Sequence, residues 1–443
     1  MWDFSRFTIF PRQHEEATPL ITSGVSGLTE RTRGAWIRRS PWCRRPHERQ
    51  RGTETRVDGG DQPEFCSTSY LHLVLRTMKE ISPAIFFCGL ALISAGLLPA
   101  QYLAVDLGAP PSGTGYYLRG GNAAQQAGTL QNTQLGSQPH ALLLTASGAI
   151  DLHPQTLTPD SPYYGIANAT VNTPSAAVST DGGSQAGYFI NTAVMWTGTP
   201  DSMKNLHPSS YNASAATSIA GGQQAGWASA PVSNGGRRGA AQTSYVHHAI
   251  LWFGTSTNFI DLHPAGYAES FATGLSSGGW QVGYGVNNGQ NKALMWFGTA
   301  ASVVNLHPSI FSESVVNGIG GAVTVGTGKI ARSGGGGTQI ISDHAVIWFG
   351  SATNYIDLHS TTYNNTYGLA TNDQRHVGYG TTLDGHNHAL VWSSSAASVI
   401  DLNQFLPAGY SDSQAVSIDG SGTIIGNASG PSGTHPFAWK PQP

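Results

Sequence analysis

The sequence predicts an all-β fold, a seven-bladed β-propeller of four-stranded blades closed by pairing of its N- and C-terminal strands. Three short markers recur seven times each, always in the same order. Successive units span about 40 to 59 residues, the period of a propeller blade. The repeat region also opens and closes with half-units that complement each other.

Each unit starts with an apolar strand such as AVSI (415–418), followed by a turn such as DGSG (419–422). A second strand then carries a small or β-branched residue and Gly: AGT (127–129), AGY (186–188), AGW (225–227), VGY (282–284), VGT (325–327), VGY (377–379) and IGN (425–427). The third strand reads HALLL (140–144), TAVMW (192–196), HAILW (248–252), KALMW (292–296), HAVIW (344–348), HALVW (388–392) and HPFAW (435–439). The fourth ends in Asp-Leu or Asn-Leu: VDL (105–107), IDL (150–152), KNL (204–206), IDL (260–262), VNL (304–306), IDL (356–358) and IDL (400–402).

Strand alternation puts His248, Ile250 and Trp252 on one face and Ala249 and Leu251 on the other, so neither face suits water. A sheet of four short strands cannot bury both faces alone, and stacking against neighbours turns each face into core. The alternate Ala is expected to let blades approach near the hub, with Trp filling the wider wedge outside. VDL (105–107) lacks a preceding Trp-marked strand, and HPFAW (435–439) lacks a following DL. Joining them completes a seventh blade and removes the free sheet edge. Leu103–Leu107 is therefore expected to pair with the sheet containing Pro436–Trp439, holding the two ends of the region together.

Composition agrees. Only 11% of the 443 residues are charged and 56 are Gly, which fits many tight turns better than long surface helices. Residues 101–443 carry 9 Lys/Arg and 15 Asp/Glu, a net charge of 9 − 15 = −6, which offers no basic surface for nucleic acid. Residues 1–77 share no pattern with the repeats and are expected to be an over-extended reading frame or a disordered arm. Residues 78–100 read as a signal peptide that begins at Met78, with Lys79, an apolar run from Ile85 to Leu98, and Leu98-Pro-Ala100 as cleavage site. A single membrane segment over 81–98 is the alternative, so membrane attachment is expected only if that stretch is uncleaved. Cys43, Cys66 and Cys88 all precede the cleavage site, which leaves the 101–443 repeat domain without thiols.

The repeated polar residues are expected to be structural. His153, His207, His263, His307 and His359 follow the Asp-Leu or Asn-Leu pair and should satisfy the turn they sit in, with Asp as a turn acceptor. His140, His248, His344, His388 and His435 open the third strand and should meet an Asp or a backbone carbonyl beside the hub. Asp384, His386 and His388 form the one local Asp/His cluster, and DGGSQ (181–185), NDQRH (372–376) and DGSGT (419–423) fit turns better than calcium loops. SGGGGT (333–338) reads as a flexible loop. No HExxH or Walker loop occurs, and the G-x-S-x-G match GLSSG (274–278) falls inside the repeat's own strand and turn. No catalytic, cofactor-binding or metal residue is assigned, and no cofactor is expected.

The order xxGxxxxGxxVGYG…HAxLWxxG…xxDL resembles the HAF-type extracellular repeat of bacterial exported proteins. GLSSGGWQVGYG (274–285) with KALMWFG (292–298), and GLATNDQRHVGYG (368–380) with HALVW (388–392), carry the resemblance best. The chain departs by writing HAI, HAL or HAV for HAF, and DLHP where the family has a Gly-rich turn. The resemblance implies export but no chemistry and no catalytic residues. A monomeric, secreted or cell-surface recognition or structural module is expected, not an enzyme, with a cell-surface glycan or protein as partner. Loops 228–247 and 327–343 vary in length, and Tyr245, Tyr267 and Tyr363 are candidate contacts. The alternative is a polysaccharide-active hydrolase or lyase, whose carboxylates would be Glu269 and Glu313, the only Glu residues after residue 100.

Overall fold

The structure, a computed structural model, describes residues 101–108, 114–132, 138–234, 242–333 and 339–443. The expectations for residues 1–77 and 78–100, and for most of SGGGGT, lie outside the described residues. Among the described residues, 28 strands, β1–β28 in chain order, form seven four-stranded antiparallel sheets. Blades 1 to 6 are β2–β5 (114–151), β6–β9 (175–205), β10–β13 (214–261), β14–β17 (269–305), β18–β21 (313–357) and β22–β25 (363–401). Each blade's first strand touches the first strands of both neighbouring blades all the way round, so these strands form the hub of a closed seven-bladed propeller. Among the described residues no helix is long and apolar enough to cross a membrane.

Blade 7 is made from both ends of the repeat region. From the hub outwards it runs β26 (Asp412–Ile418), β27 (Ile424–Gly430), β28 (Gly433–Pro441) and β1 (Tyr102–Asp106). Leu103 lies opposite Lys440, Val105 opposite Ala438 and Asp106 opposite Phe437. The Leu107 N–H extends the ladder to the Pro436 carbonyl at 3.0 Å, and the Gln442 N–H meets the Gln101 carbonyl at 2.8 Å. The expected closure of Leu103–Leu107 onto the sheet containing Pro436–Trp439 is present.

Alternation in the third strand works as the pattern implied. Ile250 and Trp252 pack with Leu206 and Met195 of blade 2, while Ala249 and Leu251 pack with Leu294 and Trp296 of blade 4. All six tryptophans that end this strand are fully buried. The expected radial division is corrected. The HAxLW strand is third from the hub in every blade, so its Ala and Trp lie at similar radius and differ in position along the ring axis.

Close approach near the hub comes instead from the second strand's Gly. A Cβ on Gly128, Gly187, Gly226, Gly283, Gly326, Gly378 or Gly426 would overlap a first-strand carbonyl oxygen. The cause is a bulge at one equivalent place in all seven first strands, as between Ala216 and Ser218 or Ala272 and Gly274. A bulge kinks its strand toward the partner, and only Gly leaves room.

The chain's two variable stretches are mostly strand, not loop. β11 (Gln223–Asn234) with β12 (Gln242–Trp252), and β19 (Thr324–Ser333) with β20 (Gln339–Ser351), are long hairpins in blades 3 and 5. Beyond the level of His248, β11 and β12 keep six more pairs, and beyond His344 β19 and β20 keep five. Blade 4, between them, keeps two beyond Lys292, so the flanking hairpins overtop it by roughly 10–13 Å.

Candidate functional site: the rim network and the hub mouth

The start of each third strand, the end of each fourth strand and the start of each first strand share one face of the ring. There the repeated His, Asp and Ser residues interlock. His140, His248, His344, His388 and His435 each place Nδ1 within 2.6–2.9 Å of Oδ2 of the fourth-strand Asp, namely Asp151, Asp261, Asp357, Asp401 and Asp106. Oδ1 of the same carboxylate accepts the backbone N–H two residues on, for instance from His153 and His263, each at 2.8 Å. Blades 2 and 4 carry Thr192 and Lys292 in place of His, and there the acceptor is Asn205 or Asn305, which keeps only the turn bond. Asp thus occurs where His needs an anion and Asn where it does not. The expected Asp partner is right, but these pairs join the two outer strands and do not sit beside the hub.

The second histidine series bridges blades, a correction to the turn-internal role expected. Nδ1 of His153, His207, His263 and His307 lies 2.7–2.9 Å from Oγ of Ser175, Ser214, Ser270 and Ser314 on the next blade's first strand, and His359 meets Thr366 at 3.1 Å. The same hydroxyl accepts the third-strand Ala N–H, as from Ala249 to Ser270 at 2.9 Å. His140 and His153, His248 and His263, and His344 and His359 stack with centroids 3.8–4.0 Å apart. Burial holds His153, His307 and His359 down to about pKa 4, with Lys292 adding to the effect on His307 and the stacked histidine on the other two. Ser–His contacts of this kind resemble a nucleophile and its base. However, Ser175, Ser214 and Ser270 are fully buried between blades and cannot reach a substrate.

A different set of residues meets at the hub on this face, and of it only Tyr379 recurs, as Tyr188 and Tyr284 in the same marker. The Tyr117 hydroxyl, from blade 1, donates to Gln414 Oε1 of blade 7 at 3.0 Å. In blade 6, Tyr367 and Tyr379 stack at 4.6 Å, and the Tyr367 hydroxyl donates to Asp343 Oδ2 of blade 5 at 2.9 Å. The positions equivalent to Tyr117 in blades 2 and 3 hold Ala176 and Ala215. Burial raises the Tyr117 phenol to about 12 despite the nearby Arg119 guanidinium, and Tyr379 is raised by burial and by its neighbours Tyr117 and Asp343. Asp343 is itself raised by burial, against the Tyr367 hydrogen bond and Lys329. Four blades converge here, which only the hub allows. Of these residues only Tyr379 falls in a repeat marker, VGY (377–379). The available signal was the opposite of repetition, a position that is small in some units and Tyr or Gln in others.

The other sequence candidates separate. Glu269 Oε1 lies 2.7 Å from His247 Nδ1 of the preceding blade, a hydrogen bond that lowers the Glu269 pKa. Glu313 pairs with Lys329 at 3.3 Å. Both carboxylates sit just before the bridging Ser and are engaged, Glu269 in a hydrogen bond with His247 and Glu313 in an ion pair with Lys329. His386 turns to Asp412 and His388 to Asp401, while Asp384 bonds Thr382, so the local Asp/His cluster disperses. Among the described residues no three His, Cys, Asp or Glu side chains group as metal ligands. Tyr245 is 38% exposed, but Tyr363 is buried with its hydroxyl on Asp401, and Tyr267 covers Gly285.

The chain matches no family model and no curated protein. It is similar in structure to the β-propeller domain of the Trilobed protease from Pyrococcus furiosus, at 11% identity and TM-score 0.38, covering 61% of this chain and 84% of that one. It is also similar to TolB from Acinetobacter baumannii, at 11% identity and TM-score 0.36, covering 70% and 78%. A puromycin-hydrolysing peptidase from Mycobacterium tuberculosis matches at 12% identity and TM-score 0.31, covering 74% and 61%.

Proposed function

We propose that this chain is an exported recognition module of the HAF-repeat type, a rigid ring that binds a cell-surface glycan at its hub mouth. The observation that carries the reading is a division of labour. Repeated polar groups are consumed in holding blades together, whereas Tyr117, Gln414, Tyr367 and Asp343 belong to no repeat marker and converge with Tyr379 from four blades. Phenols and a carboxyl at the mouth of a preformed ring suit a sugar's hydroxyls and apolar faces. The two long hairpins stand on the same face and wall the approach over blade 4.

A glycan array probed with the full chain should show saturable binding that Asp343→Ala and Tyr367→Phe weaken. An array with no signal above background overturns the glycan reading. Export is tested by N-terminal sequencing of the expressed protein, which should begin near residue 101. Abundant peptides from residues 1–77 would overturn it.

A polysaccharide hydrolase is the second reading, favoured by Asp343, whose pKa burial raises, the direction that suits a general acid. The engaged states of Glu269 and Glu313 do not suit them as its partner. Release of reducing ends from a polysaccharide, abolished by Asp343→Asn, would establish this reading in place of the first.

A further inference from the structure

We infer that four of the wedges between blades each hold one buried water, which bridges the marker tryptophan's indole to a leucine carbonyl of the preceding blade. The observation that carries this is an orphan that repeats. The Nε1–H groups of Trp252, Trp296, Trp348 and Trp392 are buried and meet no acceptor, on side chains that are fully buried. Each wedge also holds a matching acceptor. Leu206, Leu262, Leu306 and Leu358 follow the fourth strand, pack with those tryptophans in turn, and are 0% exposed as whole residues. Their carbonyls accept no hydrogen bond among the described residues. The cause lies in the rim network. A regular ladder would aim the third-strand Ala N–H at this carbonyl, but that N–H goes to the bridging Ser or Thr, as from Ala193 to Ser214 and Ala345 to Thr366, both at 2.9 Å.

The other wedges show what belongs between the two groups. In blade 2, Tyr163 reaches in from the connection between blades 1 and 2. Its hydroxyl accepts the Trp196 Nε1–H at 2.7 Å and donates to the Leu152 carbonyl at 2.7 Å, with the Pro200 carbonyl at 3.1 Å. One oxygen atom therefore spans the donor and the acceptor. In blade 7, where Leu402 opens a 3-10 turn in the αR conformation, its carbonyl takes the Trp439 Nε1–H directly at 3.0 Å. Blade 1 writes Leu144 in place of Trp, so its wedge carries no such donor. The remaining four have neither the tyrosine nor the direct bond. A buried donor and a buried acceptor left apart are costly, and a water answers one with a lone pair and the other with a hydrogen. Ala300 in blade 4 and Ala396 in blade 6 stand where Pro200 does, at the head of the same 3-10 turn, and their carbonyls are the water's third partner.

A high-resolution crystal structure of the full chain tests this, with magnetisation transfer from water to the indole N–H groups as the check in solution. The expected result is a water oxygen about 3 Å from both Nε1 and the leucine carbonyl beside Trp252, Trp296, Trp348 and Trp392, and none beside Trp439. In solution those four N–H resonances should show transfer from a long-lived water, and that of Trp439 should not. Tyr163→Phe removes one oxygen and makes blade 2 like its neighbours, so a fifth water should enter and the Trp196 N–H should gain the same signal. Dry wedges in the parent overturn the inference, whether the indole meets the carbonyl directly, as in blade 7, or stays unpartnered. The parent protein alone decides between these outcomes, so the test stands even if Tyr163→Phe folds poorly. It is independent of what the hub mouth binds.

Discussion

Asp261 shows how much one side chain does in this ring. Its Oδ1 closes a turn onto the His263 N–H, and its Oδ2 accepts from both His248 and the Tyr211 hydroxyl. The hydrogen bond from His248, then the His263 N–H, lowers its pKa against the opposing effect of burial. Asp261→Asn keeps the turn bond, as Asn205 and Asn305 do in blades 2 and 4, and should cost less than about 1 kcal/mol by thermal denaturation. Asp261→Ala loses all three bonds and should cost about 2–3 kcal/mol. The bridging histidines set the acid limit. His153, His307 and His359 are held to about pKa 4, below the value of about 6.5 expected in the unfolded chain. Between those limits the unfolded chain binds more protons, so stability is full above about pH 6.5 and falls as pH drops toward 4. Blade 6 already writes Asn403 at the equivalent place, where it accepts from Ser413 at 2.7 Å. His359→Asn should therefore shrink, without abolishing, the fall in melting temperature between pH 7 and pH 4.5 while changing it little at pH 7, since His153 and His307 remain.

At the scale of the strand, the Gly of the second-strand marker and the first-strand bulge are two halves of one device. Adding a methyl at Gly226 drives it into the Ala215 carbonyl, and backbone cannot swing aside as a side chain tip can. Gly226→Ala should destabilise by about 2–3 kcal/mol, the range of a strained overpacked core. Gly254→Ala, at φ +78° with nothing within 4 Å, should cost only about 1 kcal/mol from backbone strain. Comparing the two melts separates contact from conformation. The marker was plain in the sequence, but its reason was not, because the bulge belongs to another strand.

At the scale of the molecule, closure joins segments more than 300 residues apart. Beyond the β1–β28 ladder, Asn427 spans the seam with its amide, accepting the Leu118 N–H at 2.7 Å and donating to the Leu118 carbonyl at 2.9 Å. Asn427→Leu strands both backbone groups in the core and should cost about 2–4 kcal/mol in chemical denaturation. Deleting residues 435–443 removes β28, the link between β1 and β27. It should lower the melting temperature and promote aggregation through the exposed β27 edge. Native-like melting of that truncation would mean that the seam is not what holds the ring.

The sequence by itself determined the fold, the blade count and the closing strands, because repetition states one physical problem seven times and the half-units at 105–107 and 435–439 state how it ends. It also held the His–Asp and Thr/Lys–Asn correspondence, legible in the markers once the third and fourth strands are known to be paired. Only the tertiary structure decided that the second histidines bridge to the next blade, that the small residue at the hub is Gly and not Ala, and that Arg119, Tyr117, Gln414, Tyr367, Tyr379 and Asp343 share one neighbourhood. Those residues lie in four blades, and only Tyr379 falls in a repeat marker. Their proximity is a consequence of ring geometry, which brings first strands together at the axis however far apart they stand in the chain.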